Sequence, residues 1–180
     1  MKHLNLLLLC ILLAVYSEAQ DSSFVLSKYE QYATARGKAL KTVGQTIGQI
    51  RNTIVDVLVT TDIKKGDTLS VIRFSSENFR FVPTIFIDKE EVPNVINLLK
   101  YYAAEIKNGS VVNGAYYSYI TPNDVNVTCS YEMGLFNGSV SVGFFRMYQY
   151  LRFNAPGGHF FGKKDMDGLI KLMQDAYKAM

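Results

Sequence analysis

Few side chains in this chain have the chemistry for catalysis. Beyond the first nineteen residues, His159 is the only histidine and Cys129 the only cysteine. One imidazole cannot build a multi-histidine metal centre, and one thiol cannot close an internal disulfide. Pro156-Gly157-Gly158 ahead of His159 predicts a Gly-rich loop, on which the ring would be either a general base or an ordinary loop histidine. Cys129 falls among Val125, Val127, Tyr131 and Met133 on the apolar side of an alternating run, so it reads as a core residue rather than a reactive thiol. Asp88, Glu90, Glu91, Asp165 and Asp167 stand at predicted helix starts, where the helix dipole alone accounts for them. Phosphate-loop and nucleophile-elbow patterns are absent from the sequence. The expectation is a non-enzymatic protein without metal or cofactor, with catalysis by His159 as a lesser alternative.

Binding has more to work with. In the predicted strand from Val140 to Leu151, Arg146, Tyr148 and Tyr150 share one face, and Phe145, Met147 and Leu151 the other. Arg73 takes the corresponding place in an earlier repeat. If the Phe145 side packs on a helix, then Arg73, Arg146, Tyr148 and Tyr150, with His159 nearby, form an outward platform able to stack on rings, sugars or bases. The alternative is that this face meets the sheet of the other half.

These residues sit in a duplicated unit. Phe86, Lys89, Ile96 and Leu98 recur at one constant spacing as Phe160, Lys163, Ile170 and Leu172, while Arg73 and Pro83 recur one residue closer as Arg146 and Pro156. The expected fold is α+β: a tandem repeat of antiparallel strands followed by a helix, over about 43–109 and 110–180, in two sheets or one curved sheet with a helix on each half. In the first copy, apolar residues at Leu40, Val43, Ile47, Ile50, Ile54 and Val57 have helical spacing. Gly44, Gly48 and the many β-branched residues favour a strand instead, from about Ile47 to Thr61. A turn at Lys64–Asp67, strands at Thr68–Ser75 and Phe79–Ile87, and a helix starting near Glu91 and ending at Asn108-Gly109 follow. Asp88 and Glu91 form a capping-box-like pair. In the second copy the strands are Ala115–Ile120, Val125–Met133, Val140–Leu151 and Phe160-Phe161, with an Asn137-Gly138 turn. Its helix, Asp165–Lys178, is expected to bury Met166, Leu169, Ile170, Met173 and Tyr177. Ahead of both, Ser22 or Ser23 would cap a short helix.

The first nineteen residues read as a cleavable export signal: Lys2 and His3, an apolar run from Leu4 to Val15, then Ser17-Glu18-Ala19. Gln20 to Met180 is then one exported domain, secreted or periplasmic, with no spanning segment of its own. The formal charge is +3, with no run of like charge to announce a polyanion partner. Asn108, Asn126 and Asn137 each head an Asn-x-Ser/Thr triplet, with meaning only on a eukaryotic secretory route.

Two strand-rich sets, each followed by a helix, resemble in element order the Whirly and Pur families of single-stranded nucleic-acid binders. Arg36-Gly37-Lys38-Ala39-Leu40 is similar to the Lys-Gly-Lys-Ala-Ala-Leu stretch of the Whirly family, one Ala shorter. That likeness implies phosphate contacts from Arg36 and Lys38. Ile47-Gly48-Gln49-Ile50 and Phe86–Val92 also resemble stretches of exported bacterial domains that bring no mechanism. The leading expectation is a binding module for a protein or carbohydrate, ahead of single-stranded nucleic acid.

Overall fold

The computed structural model describes residues 26–76, 84–133, 138–146 and 158–180. The expected α+β repeat is present as two four-stranded antiparallel sheets, each followed by a helix. After a short helix α1 (Lys28–Thr34) the first unit runs β1 (Leu40–Ile50), β2 (Thr53–Asp62), β3 (Thr68–Ser76), β4 (Ile85–Asp88) and α2 (Val92–Asn108). The second runs β5 (Tyr116–Ile120), β6 (Val125–Met133), β7 (Gly138–Arg146), β8 (Gly158–Gly162) and α3 (Met166–Lys178). Strand order in both sheets follows the chain, so only hairpin connections are needed.

The predicted strand from Ile47 to Thr61 is in fact a hairpin. Arg51 turns the chain with φ of 51°, and β1 pairs back on β2 with a bulge between Thr46 and Gly48. β-branched residues continue on both sides of Arg51-Asn52, so nothing but the Asn marked the turn. The helix-like spacing over Leu40–Val57 is spread across both strands of this hairpin. Gly66 and Gly109 take φ of 78° and 68° in the expected turn and helix C-cap. The start of the expected strand Phe79–Ile87, the Asn137 turn and the strand beyond Arg146 fall outside the described residues.

Capping differs from expectation at two helices. Ser27, not Ser22 or Ser23, caps α1, in a capping box with Glu30. Asp88 makes no side-chain cap to the 3-10 turn and helix that follow it. Its carboxylate instead accepts from Lys28 N at 3.0 Å and Tyr29 N at 3.3 Å, capping α1 from sixty residues away in sequence. Burial outweighs those hydrogen bonds and raises the Asp88 pKa.

Both sheets turn their inner faces to one core. Val55, Val57, Ile72 and Phe74 from the first meet Val127, Cys129, Val142 and Phe144 from the second, with Leu99, Tyr102, Leu169 and Met173 from the helices. The Tyr102 hydroxyl donates to Ser130 O, so this large buried ring keeps its polar end satisfied. On α3 Tyr177 remains 40% exposed and Ala176 is buried in its stead, because the inward stripe runs Met166, Leu169, Met173, Ala176.

Ladder register identifies the true equivalences. Phe86 pairs with Arg73 and Phe160 with Gly143, so Arg73 corresponds to Gly143 and not to Arg146. By the same count Phe74 corresponds to Phe144, and these two rings stack on each other at 4.8 Å, as equivalent residues do on a two-fold axis. The halves also clasp one another reciprocally. Arg51, at the tip of the β1–β2 hairpin, reaches Asp165 at 2.8 Å, and Tyr119, near the tip of β5–β6, donates to Glu91, which is the counterpart of Asp165.

Candidate binding surface

The structure scatters the residues expected to form one platform. Even-numbered side chains of β7 face the core: Val140, Val142, Phe144 and, at the strand's end, Arg146, which is 2% exposed. The strand therefore follows the alternative reading, in which the face that bears Arg146 turns toward the other half. Phe145 lies on the outer side, because β6 and β8 already supply the alternation that sets β7's parity. Arg146 grips Glu30 of α1 through two bonds, 3.0 and 2.6 Å, in a bidentate pair. Burial works against ionisation of Glu30, but hydrogen bonds from Arg146 and Ser27 outweigh it and hold the carboxyl below its usual range. Arg73 lies on the outer face of the first sheet and binds Asp56 through Nε at 2.9 Å and an amino nitrogen at 2.6 Å. Tyr148 and Tyr150 lie outside the described residues.

His159 is not on a loop. It sits in β8 opposite Phe144, 2% exposed, with Nδ1 2.9 Å from Thr53 Oγ1 of the other half. In the pseudo-symmetric place the pair is Ile85 and Val125, both buried and apolar. Beside it a cleft of about 260 Å³ is lined by Arg51, Asn52, Thr53, Ser76, Gly158, His159 and Phe160. Cys129 is fully buried and its thiol is pushed up to about 12 by burial, which leaves it inert as a nucleophile. Among the described residues no group of three or more His, Cys, Asp or Glu is placed to hold a metal.

Arg36 and Lys38 fall in the turn between α1 and β1. Lys38 Nζ lies 3.6 Å above the Tyr32 ring, and the bond from Ile63 N to Ala39 O at 2.8 Å brings the Lys64-Lys65 turn alongside. This basic end belongs to the first sheet.

Sequence reasoning missed the outer face of the second sheet. β5 places Tyr116 and Ile120 there, 60% and 59% exposed, with Ser118 between them. β8 adds Phe160, 40% exposed. Its ring lies over Gly143, where a Cβ would come within 2.8 Å of it, and it stacks with Phe145 at 6.3 Å between centroids. Gly143 is thus the seat of the ring, and any side chain there would displace it. Thr128, Ser130 and Ser141 carry hydroxyls between the rings. Asn126 is 4% exposed in this face, and its side-chain oxygen has no hydrogen-bond partner among the described residues. Glu132 is the only charged side chain that the described strands turn outward here. The signal for this face was present in Tyr116-Tyr117-Ser118-Tyr119-Ile120, which puts large side chains on both faces of one strand, so that burying one set leaves the other exposed. The same burial settles one sequon, since Asn126 is inaccessible while Asn108, at the end of α2, is exposed.

No helix among the described residues is long and apolar enough to cross a membrane. No protein-family model and no curated protein matches the chain.

Proposed function

We propose that this chain is an exported, non-enzymatic binding module that takes an uncharged ligand, a carbohydrate chain first of all, on the outer face of its second sheet. The observation that carries this reading is the exposure of Tyr116, Ile120 and Phe160 on a face whose other described groups are mostly short hydroxyls, with Glu132 its one charge. Rings stack on the apolar C–H faces of sugars, while serine hydroxyls such as that of Ser118 exchange hydrogen bonds with sugar hydroxyls. A protein strand laid across the rings is the alternative occupant. The test is titration of the mature chain with a panel of neutral oligosaccharides, and its repetition with Tyr116→Ala and Phe160→Ala. Each substitution should weaken binding about tenfold or more, as loss of a stacking anchor does. Binding that survives both would remove the face from consideration, and turnover abolished by His159→Ala would replace the reading with an enzymatic one.

Single-stranded nucleic acid is the second reading, supported by Arg36, Lys38, Lys64 and Lys65 gathered at one end. Those cations stand on the first sheet and the exposed rings on the second, so phosphate contacts and base stacking are not brought to one groove. Steeply salt-dependent binding of an oligothymidylate, lost in Arg36→Ala or Lys38→Ala, would favour this reading.

A further inference from the structure

β1 has eleven residues, the most of any strand among the described residues, and it lies at an edge, bonded only to β2 among the described strands. Its run from Lys41 to Thr46 is exposed at every position, on both faces. Among the described residues the other edge strands are shorter: β4 has four residues, β5 five and β8 five. Natural sheets blunt a long edge with charge, proline or a bulge. Here Lys41 is the only charge on the strand, there is no proline, and the bulge at Thr46/Gly48 falls after the exposed run. Beyond the bulge α3 takes over, with Leu172 packed on Gly48 and Ile50 beside Gly168. Before it, Val43 remains 54% exposed at the middle of the open stretch.

We propose that β1 is a self-association edge, pairing antiparallel with β1 of a second copy about a two-fold axis through Val43, so that two first sheets join into one of eight strands. The sequence is compatible with itself in this register. Val43 meets Val43 of the partner subunit, which removes the strand's exposed apolar side chain from water on both sides. Lys41 falls opposite Gln45 of the partner subunit, so the two cations are never placed face to face. Thr42 and Thr46 keep their hydroxyls on Thr60 and Asp56 of their own β2, at 2.8 and 2.7 Å, and need no rearrangement. The pairing is isologous and closes at two copies. It leaves the outer faces of both second sheets open, and it stands independently of what binds there.

The test uses the mature chain in sedimentation equilibrium and in thiol crosslinking with diamide. The wild type should have about twice the monomer mass. Val43→Lys places two ammonium groups on the axis and should give a monomer with an unchanged circular dichroism spectrum. Val43→Cys should crosslink nearly completely, because directly opposed residues lie with Cα atoms about 5 Å apart, within disulfide reach. Gln45→Cys should not, because its two copies would be about 13 Å apart along the strands. Cys129, buried, stays silent in both. A monomer at every concentration, a dimer unaffected by Val43→Lys, or crosslinking through Gln45→Cys in place of Val43→Cys would each overturn the proposal.

Discussion

The two sheets have the same strand order and the same inward packing, and their outer faces differ completely. On the first sheet that face is closed over β2 and β3, where Leu58 and Val71 lie buried among polar groups. Asp56, Thr60 and Asp62 are each at most 3% exposed, with Asp56 held by Thr46 and Arg73 and Thr60 by Thr42. Helix α1 lies along its β3–β4 side, with Tyr29 against the Phe86 ring at 4.9 Å. On the second sheet rings stand in solvent over a row of hydroxyls, and no described helix covers them. Duplication supplied one scaffold twice. One copy has spent much of its outer face on internal contacts, and the other leaves rings exposed on it.

The strongest way to break this contrast is to release the cover from the first sheet. Arg146→Ala removes the bidentate partner of part-buried Glu30, which keeps its bonds to Ser27, and should cost about 2–3 kcal/mol in denaturant unfolding. Hydrogen exchange should show α1 losing protection before the sheets. Asp56→Ala removes the acceptor shared by Thr46 and Arg73 and should cost about 2 kcal/mol. Acid should loosen α1 more gently. Because the folded state holds Glu30 below its usual pKa, its contribution is full above the unfolded value and is lost as pH falls through the folded one. Glu30→Gln should flatten that part of the pH profile. Asp88 has the opposite sign, since its raised pKa lets protonation relieve a buried charge on acidification, and Asp88→Asn isolates the Glu30 effect. Smallest in stability, within about 0.5 kcal/mol, should be Tyr116→Ser and Ile120→Ser on the second sheet, measured by thermal melting. Such near-neutral changes in so prominent a pair of side chains would sharpen the contrast, because only binding would then suffer.

Repeat, fold class and helix limits were legible because they rest on periodicity and on local signals such as Asn108-Gly109. The facing of β7 was not. Val140, Val142 and Phe144 alternate with Ser141, Gly143 and Phe145, and the large residues crowding the strand's end near Phe144-Phe145 support either parity until its neighbours are known. Arg146 looked like the partner of Arg73 because the two recur within one residue of the repeat spacing, whereas the ladder pairs Arg73 with Phe86 and gives Gly143 to Phe160. His159 followed Pro and Gly residues and so looked like a loop residue. Its strand exists because β7 offers an edge to pair with, a tertiary fact that flanking composition does not carry. Asp88 pointed to the helix after it by spacing, but its true recipient, α1, is remote in sequence.

The clasp made by Arg51 with Asp165 and by Tyr119 with Glu91 has a consequence for how the chain reaches its native state. Each helix start takes one side-chain contact from the hairpin of the other half, and both sheets share one core. Folding should be a single transition governed by contacts distant in sequence, and correspondingly slow. A chain cut between Gly109 and Gly114 should yield two fragments, each incomplete alone, that regain the native fold on mixing. A single ancestral unit would have carried both parts of the clasp and closed it with a second copy of itself.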